Sequence, residues 1–194
     1  MRRKLVALIL ALVSAVSLGY AAYQFHAQKD ELTIQAADLF ARLALPYRIV
    51  RLSADEPDAE LLIPVHGVRK AAIADTWNEP RAGGRVHEGV DIFAARGTPV
   101  FSATEGYVLR AGDSGLGGIH VFVVGRGGVR YYYAHLDSVA EGIEPGARVT
   151  ADTVLGFVGN TGNAEGTPPH LHFGMYKDGP QNPYPLLVSR ELLD

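Results

Sequence analysis

The spacing of apolar positions changes character twice along this chain. From Leu5 to Tyr23 it runs without a single charge, behind a basic flank of Arg2, Arg3 and Lys4. From Asp30 to Leu45, the apolar residues Leu32, Ile34, Ala36, Leu39, Phe40 and Leu43 fit a short amphipathic helix. Pro46 is expected to end that helix, Tyr47–Leu52 to form a strand, and Ser53–Glu60 to be an acidic, proline-containing connector. No heptad repeat is sustained, so a short stalk is predicted rather than a long coiled coil.

From Leu61 the texture becomes brief apolar runs broken by glycine. Strands are predicted at Leu61–Val65, Val90–Phe93, Pro99–Ser102, Gly106–Arg110, Ile119–Val124, Val129–His135, Thr153–Val158 and Leu171–Tyr176. Turns fall at Gly83-Gly84, Gly112-Asp113, Gly117-Gly118, Gly127-Gly128 and Pro145-Gly146. This pattern predicts an all-β fold, an antiparallel β-sandwich or barrel-like core with long loops around a groove. A transmembrane or signal helix and a short helical stalk are expected to precede it. The segments are then 1–24, 25–60, a β-domain at 61–185 and a C-terminal tail at 186–194.

The N-terminal run reads as an address. As a helix, nineteen uncharged residues would span roughly 28 Å, near the hydrocarbon thickness of a bilayer. The basic flank is expected to stay in the cytoplasm and send the rest of the chain across. The best small-x-small cleavage site, Gly19-Tyr20-Ala21, is flanked by aromatics and poor, which favours an uncleaved signal anchor over a cleaved signal peptide. Either reading exports the domain.

Composition narrows the chemistry. The 22 glycines and 11 prolines suit many tight turns, and a net charge of −3 gives no reason to expect nucleic acid as a partner. The chain has no cysteine, which excludes disulfides, thiolate metal sites and cysteine nucleophiles.

Histidine is the informative residue. His26, His66 and His120 lack polar company, whereas His87, His135, His170 and His172 sit with Asp91 beside glycine or proline turns. In a strand, His170 and His172 leave the same face, roughly 6.6 Å apart. The even separation of His87 and Asp91 also puts them on one side of an extended segment, with Gly89 leaving room between them. Two histidines and a carboxylate can hold a tetrahedral zinc with one open position. Each pair alone is more readily read as structural, and His135 alone as a half-buried histidine at a strand end.

Together these residues resemble one family. His87 and Asp91 within HEGVDIFAARGTPVFSATEGYV, His135 within YYYAHL, and the run GNTGNAEGTPPHLHF are similar to the lysostaphin-type, LytM-like zinc metallopeptidases (peptidase family M23) over Leu61–Pro185. The resemblance implies that His87, Asp91 and His172 hold Zn2+ and that His135 and His170 are catalytic. It also implies hydrolysis of peptide cross-links in peptidoglycan, of the D-alanyl–diaminopimelate type in a Gram-negative wall or polyglycine in some Gram-positive walls. The partners would be peptidoglycan peptide stems and, through residues 5–23, the cytoplasmic membrane. Protein regulators are compatible with it, and the expected location is the periplasmic or extracytoplasmic face.

No HExxH motif supplies a glutamate base, and Glu88 has the wrong parity to face the ligands beside it. Asp113 and Asn163 lie in loops that could rim a groove. The competing reading is a non-enzymatic wall-binding module or a regulator of another hydrolase, with its groove covered by the Asp30–Glu60 segment. A lipoyl-type carrier lacks its lysine at Ala103-Thr104-Glu105, and a cupin-type site lacks a glutamate after His172.

Overall fold

The computed structural model describes residues 44–113 and 115–190, and before them 19–20, 23–26, 28–29, 31–33 and 35. Most of the expected membrane or signal helix at 5–23 therefore lies outside the described residues, as do Ile34, Ala36, Leu39, Phe40 and Leu43 of the stalk. Among the described residues no helix is long and apolar enough to cross a membrane. The chain divides into two compact units, Met1–Leu45 and Pro46–Asp194.

The second unit is β-rich. Its strands are β1 (Leu61–Leu62), β2 (Val90–Phe93), β3 (Pro99–Phe101), β4 (Gly106–Asp113), β5 (Ile119–Gly125) and β6 (Arg130–Val139). They continue with β7 (Arg148–Val149), β8 (Val154–Val158), β9 (His170–Tyr176), β10 (Pro180–Gln181) and β11 (Leu187–Val188). Nine of them form one antiparallel sheet, with a spine in the order β10-β9-β6-β5-β4-β7. Strand β2 joins at β9, and β8 bridges β3 to β6.

Three expectations are corrected. Residues 46–53 are helical, so Pro46 does not end the helix and Tyr47–Leu52 is not a strand. The half-buried positions are Ile49, Leu52 and Ser53, a helical period that the local apolar alternation masked. The segment assigned to a C-terminal tail begins inside the fold, because β11 pairs in parallel with β1 and Arg190 donates to the Ile63 and Ser102 carbonyls. Residues 53–58 also pack on the β-unit: Ser53 lies against Gly128, Asp58 accepts the Thr104 hydroxyl, and Asp55 faces Arg126 at 3.8 Å. A β-carbon on Gly127 would stand 2.5 Å from the Pro57 ring.

The alternation of side chains separates two faces of the sheet. Leu171 and Phe173 of β9, Tyr131 and Tyr133 of β6, and Val121 and Val123 of β5 are buried in the core. Each large side chain so buried contributes about 1.5–3 kcal/mol. Tyr133 adds a hydrogen bond, its hydroxyl accepting the Ala103 amide at 2.9 Å. The residues between them, His170, His172 and Tyr132, face the opposite side. That side becomes the site.

Strand β6 changes partner halfway along. Arg130–Ala134 pairs with β9, and Leu136, Ser138 and Val139 pair with β8. At the switch, two residues of β6, Ala134 and His135, stand opposite the single His120 of β5. His135 takes a left-handed backbone, φ 62°, which is strained for a residue with a β-carbon. A bulge of this kind re-aims a side chain without ending the strand.

Candidate metal centre and reaction groove

Strand register assembles the site. Asp91 of β2 lies directly opposite His172 of β9, which in turn lies opposite Ala134 of β6 beside the bulge. The preceding segment, 78–87, is a small hairpin: Asn78 donates to the His87 carbonyl and the His87 amide to the Glu79 carbonyl, both at 2.9 Å. That hairpin brings His87 over β2. A β-carbon on Gly89 would stand 2.6 Å from both His172 Cε1 and the Phe173 carbonyl oxygen, so glycine is what lets β2 approach the His172 ring.

The three side chains converge through specific atoms. His87 Nδ1 donates to the Thr76 carbonyl at 2.7 Å, which leaves Nε2 as a bare lone pair. That Nε2 lies 2.8 Å from His172 Nδ1 and 3.0 Å from Asp91 Oδ1, and the third edge, His172 Nδ1 to Asp91 Oδ1, is 3.2 Å. A zinc tetrahedron with ligand bonds of about 2.0–2.1 Å has edges of roughly 3.3 Å. Two imidazole nitrogens and a carboxylate oxygen in such a triangle fit that ion, and it would relieve the crowding of three lone pairs.

The supporting groups are also in place. Arg81 donates to Asp91 Oδ2 at 2.8 Å, leaving Oδ1 for the centre, and the Asp91 amide donates to the Thr76 hydroxyl at 3.1 Å. Burial opposes ionisation of Asp91, but its close contacts with His172 and His87 outweigh it and hold the carboxyl below the usual carboxylate range. Burial lowers the His172 pKa as well, against the pull of Asp91.

Two further histidines face the same space. His135 Nδ1 donates to the Thr161 carbonyl at 2.8 Å, and His170 Nδ1 to the Pro168 carbonyl at 2.9 Å. Their ring centroids are 5.1 Å apart, and both are buried. Burial lowers the His135 pKa to about 4, the Thr161 carbonyl offsetting it only in part. Near neutral pH His135 is therefore an uncharged base whose Nε2 is free. Thr161 itself is fixed, donating through its hydroxyl to the Leu136 carbonyl and accepting the Ile119 amide.

All five predicted site residues line one groove of about 840 Å3. Asn163 lines it, whereas Asp113 does not, because the β4–β5 ladder pairs it with Ile119. Glu88 is exposed and borders the groove without bonding to a ligand among the described residues. Tyr176, also on the wall, has its pKa pushed up to about 12 by burial and then by Glu88. None of residues 46–60 lines the groove. Sequence reasoning missed Thr76, Arg81, Tyr132 and Thr161. Arg81 could have been found from the Gly83-Gly84 hairpin tip just ahead of His87, but Thr76 acts largely through its carbonyl, which no side-chain pattern reveals.

This constellation has known counterparts. Residues 85–183 match Peptidase family M23, and the chain belongs to that family. The chain is 41% identical over 128 residues to the L-Ala–D-Glu endopeptidase of Bacillus subtilis, covering 60% of this chain and 39% of that protein. Over 120 residues it is 38% identical to the DD-carboxypeptidase/endopeptidase Mpg of Neisseria meningitidis, covering 60% of this chain and 25% of that one. The chain thus spans well under half the length of these two relatives. The fold is also similar to the catalytic domain of lysostaphin from Staphylococcus simulans, with a TM-score of 0.53 and 31% identity, covering 58% of this chain and 89% of that domain.

Proposed function

We propose that this protein is a zinc metalloendopeptidase that hydrolyses peptide cross-links of peptidoglycan, of the D-alanyl–diaminopimelate type, outside the cytoplasmic membrane. The observation that carries the reading is the triangle of His87, Asp91 and His172 beside two further histidines, His135 and His170, each anchored through Nδ1 to a backbone carbonyl. Family membership and relatives named as endopeptidases support it. The uncharged run Leu5–Tyr23 behind three basic residues supports export with retention at the membrane.

A zinc ion on those three residues would supply Lewis acidity, acidifying water and polarising the scissile carbonyl. The chain does the rest. His135 Nε2, uncharged near neutral pH, accepts a proton from the attacking water. His170, oriented by the Pro168 carbonyl, lies across from it with Nε2 as a second acceptor that holds the attacking water in place. The captured proton then passes to the departing amine nitrogen, which leaves carboxylate and free amine as products. Thr161 and Pro168 hold the two imidazoles in the tautomers this sequence needs.

The test is digestion of purified sacculi by the protein and its His172→Ala variant, followed by mass analysis of the released muropeptides. The expected result is loss of cross-linked dimers and new D-alanyl carboxyl termini with wild type alone. Binding to sacculi without any new termini would instead establish the wall-binding module or regulator.

A further inference from the structure

The 78–87 hairpin carries two guanidinium groups into the groove. Arg81 and Arg85 face each other across it, the Arg81 amide donating to the Arg85 carbonyl at 2.9 Å, and both line the cavity that holds His87, Asp91 and His172. Their situations differ. Arg81 is spent on protein carboxylates, Nη1 on Glu79 at 3.2 Å and Nη2 on Asp91 at 2.8 Å. Arg85 is not. Its Nε donates to the Ala82 carbonyl at 3.2 Å, which orients the group, and among the described residues no carboxylate lies within salt-bridge distance of it. Both Nη atoms are left over, the fork that matches a carboxylate in two parallel hydrogen bonds.

Its position relates that fork to the reaction. The backbone at Arg85 is extended, φ −78° and ψ 162°, and His87 follows two residues on. Residues two apart in an extended segment leave the same side roughly 6.6 Å apart. A carboxylate held by Arg85 would thus sit about 7–10 Å from the metal ligands, two or three peptide residues from the scissile carbonyl at ~3.5 Å per residue. Glu88, also on the groove wall, forms no salt bridge with Arg85 among the described residues, which leaves the Arg85 fork open to the groove.

We propose that Arg85 is a substrate-recognition residue that binds a free carboxylate two or three residues from the bond that is cut. This rests on the endopeptidase reading above and deepens it. The substrate is an acidic stem peptide, not a neutral glycine bridge, and amidation of its carboxyl groups weakens recognition. Arg81 keeps Asp91 in place and leaves this role to its neighbour.

The test uses one cross-linked muropeptide dimer in two forms, with its stem carboxyl groups free or amidated, and the full chain loaded with zinc. Wild type is expected to favour the free-carboxylate dimer by about tenfold to a hundredfold in kcat/KM, expressed mainly in KM. Arg85→Gln should remove that preference, and Arg85→Glu should make the amidated dimer the better substrate. Arg85→Lys, which keeps the charge and loses the fork, should restore only part of it. Equal rates on the two dimers with wild type would overturn the role of Arg85 and leave the endopeptidase reading standing. So would an Arg85→Gln defect of the same size on both dimers, since that marks a structural part in the hairpin. Hydrolysis of neither dimer by the zinc-loaded wild type would overturn the endopeptidase reading and this inference with it.

Discussion

His135 shows how much one residue can be asked to do. It occupies the bulge of β6 with φ 62°, a backbone region that costs a residue with a β-carbon about 1–2 kcal/mol. The strained backbone turns its imidazole out of the pleat and toward His170. Two substitutions separate its roles. His135→Ala and His135→Gly should each lower kcat by about 10²–10⁴-fold, the usual contribution of a positioned acid–base group. They should differ in stability, with the glycine variant more stable than alanine by about 1 kcal/mol because only alanine retains the left-handed strain. Denaturant unfolding of the two variants measures this difference. Equal stabilities would mean that the bulge costs nothing and that His135 is not held against strain.

Among the elements, the β2–β9 pair sets the candidate metal centre. Asp91 opposite His172 is a matter of register, and Gly89 permits the close approach that the register needs. Gly89→Ala should push β2 away from the His172 ring. We expect zinc affinity to fall about 10–100-fold, as for loss of a group that orients ligands, measured by competition with a chromogenic chelator. Affinity equal to wild type would show that the ligands are placed by the hairpin at 78–87 alone. Much of this was legible in the sequence. The even spacings in His87–Asp91 and His170–His172 put the right atoms on shared faces, and β2 has the ends predicted for it. The bulge was not legible, because nothing in Tyr131–Leu136 marks a left-handed histidine. Strand β6 therefore continues to Val139, past the predicted end at His135. The short strands β7, β10 and β11 were missed because two-residue pairings carry no periodicity to read.

For the whole molecule, the boundary of the folded unit matters more than any single strand. The sequence separated a stalk and linker at 25–60 from the β-domain, yet Ser53, Pro57 and Asp58 cover the turns at 126–128 and 104. Chains beginning at Pro46 should keep the stability of the intact second unit. Chains beginning at Leu61 should lose about 1–3 kcal/mol, because they uncover the Thr104 hydroxyl and the glycine turn. Urea unfolding of the two lengths checks this, and identical midpoints would show that the wrapped segment adds nothing. Since none of 46–60 lines the groove, both lengths should bind the same substrates.

The central claim, that His87, Asp91 and His172 hold a zinc required for peptide hydrolysis, is tested most directly by titrating metal-free protein with zinc while following cleavage of a cross-linked muropeptide dimer. No cleavage is expected without metal, with activity rising linearly to a break at about one zinc per chain and no recovery in His172→Ala at that stoichiometry. Cleavage by the metal-free protein, or an inert protein with one zinc firmly bound at these residues, would contradict it.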